Sequence, residues 1–190
     1  MLLLLIVLCI LIVALGFFYF TLLFTLFYDA PYIRTPARDI PLIFKAAGIR
    51  PGEVFYELGS GDGRIVRTAA AQGARAFGVE KSLPLIWWSR FITYIARSAR
   101  IYPRRGDTKV SHYSLPSYIQ RNILDVDLSN ADVIFCYLLP GIMPRLKEKF
   151  ERELKSGTRV ITYAFSVPGW TPIARLKPTP RKVIHVYVRQ

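Results

Sequence analysis

The segment "YELGSGDGRIV", residues 56 to 66, joins a predicted strand to a predicted helix through a glycine-rich turn. The apolar pattern from Val54 to Leu58 predicts a short buried strand, and the pattern from Arg64 to Gln72 predicts an amphipathic helix. Glycines between a strand and a helix let the backbone approach a ligand closely, and the start of the helix offers unpaired N–H groups. The stretch is therefore predicted to bind a nucleotide.

The spacing of the glycines narrows the choice of nucleotide. Gly59, Gly61 and Gly63 form a G-x-G-x-G pattern, whereas a dinucleotide fingerprint requires its third glycine where this chain has Arg64. This spacing disfavours a pyrophosphate ligand. We predict that the three glycines, together with Ser60, contact the bound nucleotide cofactor.

Three acidic residues flank the glycines. Glu57 ends the first strand and Asp62 lies in the turn, where they would repel a multiply anionic ligand and attract an ammonium group. Glu80 ends the second strand, where a carboxylate can accept hydrogen bonds from both hydroxyls of a ribose. S-adenosylmethionine, an adenosine with an ammonium and a sulfonium, fits this pattern. The alternative is a tight strand-to-helix connection with solvated carboxylates.

Short strands and amphipathic helices alternate along the rest of the chain, which predicts parallel βαβ units. The predicted strands are 76–79, 118–121, 132–138, 159–165, 170–176 and 182–188, and the predicted helices are 83–97 and 143–154. A helix before the first strand is expected to have Thr35 as N-cap and Pro36 at its first position, and to close near Gly48. Residues 98 to 116 are basic and aperiodic, which predicts a loop.

The amino-terminal run from Leu2 to Tyr28 contains no charged residue. As a helix it would be about 40 Å long, more than the roughly 30 Å of a bilayer's hydrocarbon core. We therefore predict a transmembrane anchor over residues 1–28 and one domain over residues 29–190. Basic residues behind the run favour a single pass with the domain on the cytoplasmic side. A cleaved signal peptide and a buried helix are the alternatives.

Composition limits the partners and the chemistry. The chain has 26 Lys and Arg against 13 Asp and Glu, so a formal charge of +13 attracts anionic lipid, nucleic acid or acidic protein surfaces without choosing among them. Cys9 and Cys136 have no CxxC partner and no neighbouring histidine, so neither a disulfide nor a metal site is expected. His112, in the basic loop, and His185, in the last strand, are expected to be structural.

With these features in place, the sequence resembles the class I S-adenosylmethionine-dependent methyltransferases. More narrowly, it resembles the small membrane-tethered lysine methyltransferases typified by the mitochondrial ATP synthase c-subunit lysine N-methyltransferase. The segments that carry the resemblance are "PYIRTP", "ELGSGDGRIV", "GVE", "ADVIFCYLLPGIMPRLKEKFERELKSGTRVI" and "FSVPGW". The resemblance implies an α/β fold with a seven-stranded mixed sheet and helices on both faces, preceded here by the transmembrane helix.

The resemblance also implies roles for particular residues. Those implied to bind the cofactor are Gly59, Gly61 and Asp62 at the methionine part, Glu57 at the ammonium, Glu80 at the ribose, Asn122 at the adenine, and Tyr32 and Thr35 in the segment before the first helix. Arg34 stands where relatives have an inner proline. A surface turn is the alternative for Asn122, and a membrane-interface aromatic is the alternative for Tyr32.

In this fold the acceptor meets the cofactor at the end of the fourth strand, so "CYLLP", residues 136 to 140, is expected to shape the acceptor site. A lysine amine has a pKa of about 10.4 and must lose a proton before it can accept a methyl group. Tyr137 is the candidate for orienting the amine, and Pro140 is the second predicted catalytic position. Trp87 and Trp88 lie on an amphipathic helix, where at least one is expected in the core.

Together these observations predict a membrane-anchored enzyme that methylates a lysine in a membrane protein such as an ATP synthase c-type subunit. The expected partners are that protein and the lipid bilayer. Methylation of a lipid amine or a small lipophilic molecule is one alternative. A non-catalytic, membrane-tethered module that binds RNA or lipid is another, but RRM, KH and zinc-finger signatures are absent, which disfavours nucleic acid.

Overall fold

The computed structural model describes residues 2–27, 32–99 and 115–190, and within the first helix it describes the side chains of residues 4–20. The chain forms two compact units, Met1–Ile33 and Arg34–Gln190. The first unit contains helix α1, Leu2–Phe27. Among the described residues no helix meets the length and hydropathy that a membrane crossing needs, so the transmembrane span is not confirmed. The domain boundary predicted after residue 28 lies outside the described residues.

The second unit is built on a seven-stranded sheet with the order β3-β2-β1-β4-β5-β7-β6. The strands are β1 Val54–Leu58, β2 Arg75–Glu80, β3 Ser117–Gln120, β4 Val133–Cys136, β5 Arg159–Tyr163, β6 Ala174–Thr179 and β7 Lys182–Val188. Strands β1 to β5 are parallel, and β7 runs antiparallel between β5 and β6. The strand order reverses between β1 and β4, where open α/β sheets bind their ligands. The expected mixed sheet is confirmed.

Helices cover both faces of this sheet. They are α2 Ile40–Ala47, α3 Arg64–Ala71, α4 Leu83–Ser98 and α5 Met143–Glu153, with 3-10 turns at Ala37–Asp39 and Pro140–Ile142. The buried side chains of α2, α3 and α4 join one hydrophobic cluster, and those of α5 join a second. We call the two sides of the sheet the α3 face and the α5 face.

Alternation along the strands decides which side chains reach each face. Phe55 and Phe135 pack on the α3 face, and their neighbours Tyr56 and Ile134 pack on the α5 face. Successive side chains of a strand point to opposite faces, so Glu57, two positions after Phe55, also points to the α3 face. It does so at the carboxyl edge of the sheet, the edge where β1, β2, β4 and β5 end.

The predicted start of the second helix is wrong. Pro36 is extended, with φ −59° and ψ 134°, the 3-10 turn follows it, and α2 begins only at Ile40. Thr35 is therefore not an N-cap. The helix closes as predicted, because Gly48 adopts the left-handed conformation, with φ 54°, that ends many helices.

Some predicted strands have different limits. β5 stops at Tyr163 because Ala164, at φ 76°, leaves the extended conformation. β6 begins at Ala174 instead of residue 170, because Trp170 lies in a turn where its ring packs against Phe150 and Tyr187. Most of the basic loop, residues 100–114 with His112, lies outside the described residues.

Candidate active site

Glu57 is a buried carboxylate at the end of β1. Only 5% of the residue is exposed, and the carboxylate accepts a hydrogen bond from the main-chain N–H of Val66 in α3 at 3.2 Å. Burial raises the pKa of Glu57 well above its usual range, and the charges of Asp62 and Glu80 raise it further. A buried carboxylate with this environment is stabilised by a cation placed beside it.

Glu80 occupies the corresponding position at the end of the neighbouring strand β2. One carboxylate oxygen accepts the main-chain N–H of Gly61 at 3.0 Å, and the other accepts that of Ser82 at 2.9 Å. Ala76, four residues earlier on β2, packs on the α3 face. Residues an even number of positions apart on a strand point to the same face, so Glu80 points to the α3 face as well. The two predicted carboxylates thus lie at adjacent strand ends on one side of the sheet.

Hydrogen bonds to β2 and close packing on Tyr118 fix the glycine turn between β1 and α3. The main-chain N–H groups of Gly59 and Ser60 donate to the carbonyl of Val79 at 2.9 and 3.0 Å. Gly63 has φ 72°, and a Cβ atom there would lie 2.6 Å from the ring of Tyr118. Both the backbone conformation and the close approach of Tyr118 exclude a side chain at this position.

Ser60 packs against a glycine that the sequence analysis did not single out. A Cβ atom on Gly78 of β2 would lie 2.7 Å from the hydroxyl oxygen of Ser60. The Ser60 side chain is buried, and its hydroxyl has no hydrogen-bond partner among the described residues. A glycine inside a strand often marks a place where another chain segment approaches closely, so Gly78 was the signal in the sequence for this contact.

Asp62 has a different set of partners from those expected. Its carboxylate pairs with Arg34 at 2.8 Å and with Arg64 at 3.1 Å. Burial opposes the negative charge, but the hydrogen bonds from Arg34 and Arg64 outweigh it and lower the pKa of Asp62. The acid is neutralised within the protein, so the carboxyl groups left to face a cationic ligand at the turn are those of Glu57 and Glu80. Contact of Asp62 with the methionine part stays a prediction.

The same arginines hold the segment before α2. Arg64 also donates to the carbonyl of Thr35 at 3.1 Å, and the Thr35 side chain is buried. Arg34, which replaces the inner proline of the related segment, therefore joins this segment to the glycine turn through Asp62. Tyr32 belongs to the first unit and is 43% exposed, so its predicted role at the cofactor stays a prediction.

A second cluster lies on the α3 face at the ends of β4 and β5. The rings of Tyr137 and Tyr163 meet edge to face with centroids 4.7 Å apart. The ammonium of Lys182, the first residue of β7, donates to the hydroxyl of Tyr137 at 2.8 Å. It also lies 5.0 Å from the centre of the Tyr137 ring and 5.8 Å from that of Tyr163. We call these three residues the aromatic corner.

A buried hydrogen bond to Asp39 fixes the position of Tyr163 in the aromatic corner. The hydroxyl of Tyr163 donates to the buried carboxylate of Asp39 at 2.6 Å. Burial, followed by the hydrogen bond and the charge of Asp39, raises the pKa of Tyr163. Sequence reasoning found Tyr137 but missed Tyr163, Lys182 and Asp39, because the strand pairing that joins them is non-local.

Two other predicted residues lie at the same edge. Pro140 begins the 3-10 turn that leads into α5 and is exposed. Asn122 follows β3, and its side-chain oxygen accepts the N–H of Leu124 at 3.0 Å, so the side chain caps its own turn. The roles of Pro140 with the acceptor and of Asn122 with the adenine stay predictions.

The remaining titratable groups have structural surroundings. Asp132 accepts the N–H of Val54 at 2.8 Å and pairs with Lys155 at 2.6 Å, which joins two strand starts. Burial raises the pKa of the Cys136 thiol to about 12, and burial followed by the charge of Arg175 lowers the pKa of His185. Among the described residues no group of three or more His, Cys, Asp or Glu could hold a metal ion.

The strand order, with an antiparallel β7 beside a glycine turn bounded by two acidic strand ends, defines a class I S-adenosylmethionine-dependent methyltransferase. The ANTKMT methyltransferase domain model matches residues 57–174. The chain therefore belongs to that family of methyltransferases.

Individual relatives agree with this assignment. The chain is 34% identical over 143 residues to a protein-lysine N-methyltransferase of Saccharolobus islandicus, which covers 75% of this chain and 81% of that protein. It is 33% identical over 142 residues to the human ATP synthase c-subunit lysine N-methyltransferase, but covers only 54% of it. A solved RNA methyltransferase of Salinibacter ruber in complex with S-adenosylhomocysteine superposes with a TM-score of 0.69 at 27% identity, over 82% of this chain and 93% of that one.

The residues present fit S-adenosylmethionine. The buried Glu57, whose pKa is raised by burial and by like charges, suits the α-ammonium. Glu80 carries two acceptor oxygens at the position for ribose hydroxyls, and Gly59 and Gly61, both at positive φ, shape the turn beside it. The enzyme uses this cofactor, and these three features are the part of the chain that would hold it.

Proposed function

We propose that this enzyme transfers a methyl group to the side-chain amine of a lysine in a membrane-associated protein. The names of the Saccharolobus and human relatives support a lysine acceptor. The observation in this chain that carries the proposal is the aromatic corner, where Tyr137 and Tyr163 surround the ammonium of Lys182. Two rings and a hydroxyl at the carboxyl edge are suited to an alkyl-ammonium group.

The aromatic corner supplies what a lysine acceptor needs. When bound, S-adenosylmethionine supplies an electrophilic methyl group on its sulfonium. The Tyr137 hydroxyl accepts from Lys182 through one lone pair, which leaves a second lone pair to accept an N–H of the incoming amine. That hydrogen bond orients the nitrogen lone pair toward the methyl group.

Lys182 also favours the reactive form of the acceptor. A lysine with a pKa of about 10.4 is almost entirely protonated at neutral pH, and a protonated amine cannot attack. A second cation nearby disfavours the charged form and lowers the acceptor pKa, as does removal from water beside the two aromatic rings. Lys182 is therefore a positioning residue that acts through Tyr137 and through its charge.

Membrane attachment is part of the proposal. The described side chains of α1, from Leu4 to Phe20, include no charged residue, and most of the large apolar ones are more than half exposed. A helix without a polar face is not stable in water by itself, which supports an apolar environment such as a bilayer. The basic residues that follow in the sequence favour a cytoplasmic location for residues 34–190.

Methylation of RNA is the second candidate. The Salinibacter protein is named an RNA methyltransferase, and the formal charge of +13 suits a polyanion. The two relatives named as lysine methyltransferases, at 34% and 33% identity, favour the lysine acceptor over this candidate.

A labelling experiment separates these acceptors. Membranes and total RNA from cells that lack the gene are incubated with the purified full chain and S-adenosylmethionine carrying a labelled methyl group. We expect the label in protein, recovered as methyl-lysine after hydrolysis, and we expect none with the Glu57→Gln variant. Label recovered in the lipid extract or in RNA would overturn the lysine proposal and identify the other acceptor.

Extraction of cell membranes tests the attachment separately. If α1 enters the bilayer, the full chain stays with the membranes after washing with alkaline carbonate. Release into the wash would contradict attachment through α1, while the acceptor result would stand.

A further inference from the structure

Helix α4 presents its largest apolar side chains to solvent, contrary to the expectation that at least one of Trp87 and Trp88 is in the core. Trp87 is 65% exposed and Trp88 is 51% exposed. The positions that α4 buries are occupied by smaller side chains, namely Ile86, Ser89, Thr93 and Ala96. The usual arrangement of an amphipathic helix on a sheet is therefore partly inverted.

Close packing at the glycine turn explains the inversion. The hydroxyl of Ser89 donates to the carbonyl of Gly61 at 3.0 Å, and a Cβ atom on Gly63 would lie 2.9 Å from it. The hydroxyl of Thr93 lies 3.0 Å from that of Tyr118. The inner side of α4 is thus too close to the turn for a tryptophan, and the bulky residues face outward.

The outward residues form one continuous surface. Its members are Trp87, Trp88, Phe91, Tyr94 and Ile95, which we call the α4 aromatic face. Trp87, Phe91, Tyr94 and Ile95 follow helical spacing, and the ring of Trp88 lies 6.1 Å from that of Phe91. Monomeric soluble proteins rarely expose contiguous apolar surface of this kind without a partner.

The charges around the face identify its partner. Along the described residues 81–99 the sequence contains three basic residues, Lys81, Arg90 and Arg97, and no acidic residue. Arg97 is exposed on the last turn of α4, and Arg90 is exposed while it donates to the carbonyl of Tyr118 at 3.1 Å. Tryptophan and tyrosine with flanking basic residues are typical of helices that lie at the surface of an anionic membrane.

We propose that the α4 aromatic face docks on an anionic lipid bilayer, with its rings among the headgroups and its basic residues near lipid phosphates. This contact is separate from α1 and independent of the identity of the methyl acceptor. Because Ser89 joins α4 to the glycine turn, docking places the cofactor-binding residues beside the bilayer surface.

The three tryptophans allow a direct test with the full chain. Trp170→Phe leaves Trp87 and Trp88 as reporters, whereas Trp87→Phe with Trp88→Phe leaves Trp170, whose indole N–H donates to Glu151 at 3.0 Å. Each variant is reconstituted in vesicles of phosphatidylcholine and phosphatidylglycerol whose acyl chains carry bromine, which quenches nearby tryptophan. We expect Trp87 and Trp88 to be quenched severalfold more strongly than Trp170.

The lipid composition and a charge reversal complete the test. Vesicles of phosphatidylcholine alone should remove most of the difference between the two reporters. Arg97→Glu changes the charge by two units and should lower the apparent lipid affinity, measured by the quenching of Trp87 and Trp88, by more than about fivefold. Lys177→Glu makes the same charge change on β6, at the opposite edge of the sheet, and should leave the quenching of Trp87 and Trp88 unchanged.

Equal quenching of both reporters, or quenching that does not depend on phosphatidylglycerol, would overturn the proposal. A third outcome would also overturn lipid docking: Trp87 and Trp88 are not quenched, and their emission shifts to the blue as protein concentration rises. That result would show that a second copy of the chain covers the α4 aromatic face.

Discussion

The ammonium of Lys182 donates a hydrogen bond to the hydroxyl of Tyr137 at 2.8 Å, although the two residues are 45 positions apart in the chain. The contact exists because β7 runs antiparallel beside β5 and therefore begins at the edge where the other strands end. It brings a fixed positive charge to the position at which the acceptor is expected.

Removal of the Tyr137 hydroxyl should slow methyl transfer. In the Tyr137→Phe variant the acceptor amine loses the hydrogen bond that orients it, so we expect kcat to fall about tenfold to a hundredfold. Affinity for S-adenosylmethionine should change little. Tyr187→Phe is the matched control, because its hydroxyl accepts from Val167 on the α5 face and should affect stability more than kcat. Similar kcat losses in both variants would contradict a role for Tyr137 with the acceptor.

The charge of Lys182 should appear in the pH dependence of the rate. Lys182→Met removes the charge, so the acceptor pKa rises and the rise of rate with pH moves to higher pH. Each unit of that displacement corresponds to about a tenfold loss of rate at neutral pH. Lys182→Arg keeps the charge and should keep the profile near that of the wild type. A lower rate with an unmoved profile would show that Lys182 acts only on packing.

The pairing of Asp62 with two arginines should contribute to stability. Asp62→Asn leaves Arg34 and Arg64 without their anion, and we expect the free energy of unfolding to fall by about 1 kcal/mol, since Arg34 is largely exposed. Folding lowers the pKa of Asp62, so this contribution is present above the usual carboxyl range and is lost as pH falls through the lowered value. Denaturant unfolding of the full chain in detergent measures both effects. A loss no larger than that of the exposed Asp125→Asn control would contradict the assignment.

Glu57 should make the opposite contribution to stability. Folding raises its pKa, so stability is lost progressively as pH rises from the usual carboxyl range through the raised value, and an amide has no such loss. We expect Glu57→Gln to raise the free energy of unfolding at neutral pH by about 1 kcal/mol, with the gain shrinking in acid. The control is Glu148→Gln, the same change on the exposed side of α5. A loss of stability in the Glu57 variant would contradict the burial argument.

The sequence predicts the local features of this protein well. β1, the glycine turn and α3 follow one another in the chain, so periodicity and spacing place Glu57 and Gly63 within a single unit. Glu80 follows from the end of the next strand. The resemblance supplied the seven-stranded mixed sheet, which local patterns do not contain, and the structure supplied the strand order.

Features that depend on distant pairing were harder to predict. Tyr163 and Lys182 meet Tyr137 only because β7 inserts between β5 and β6. The expectation that at least one of Trp87 and Trp88 lies in the core was wrong. Helical spacing shows that a stripe is apolar and does not show which side of the helix faces the sheet. Close packing of Ser89 on the turn decided that question.

The affinity for S-adenosylmethionine as a function of pH reports whether the buried Glu57 carboxylate pairs with the ammonium of the cofactor. Calorimetric titration of the wild type and of Glu57→Gln from acid to mildly alkaline pH supplies the measurement. We predict that wild-type affinity increases with pH as Glu57 loses its proton, and that the variant binds weakly with little dependence on pH. Equal affinities with the same pH dependence in both proteins would contradict the claim.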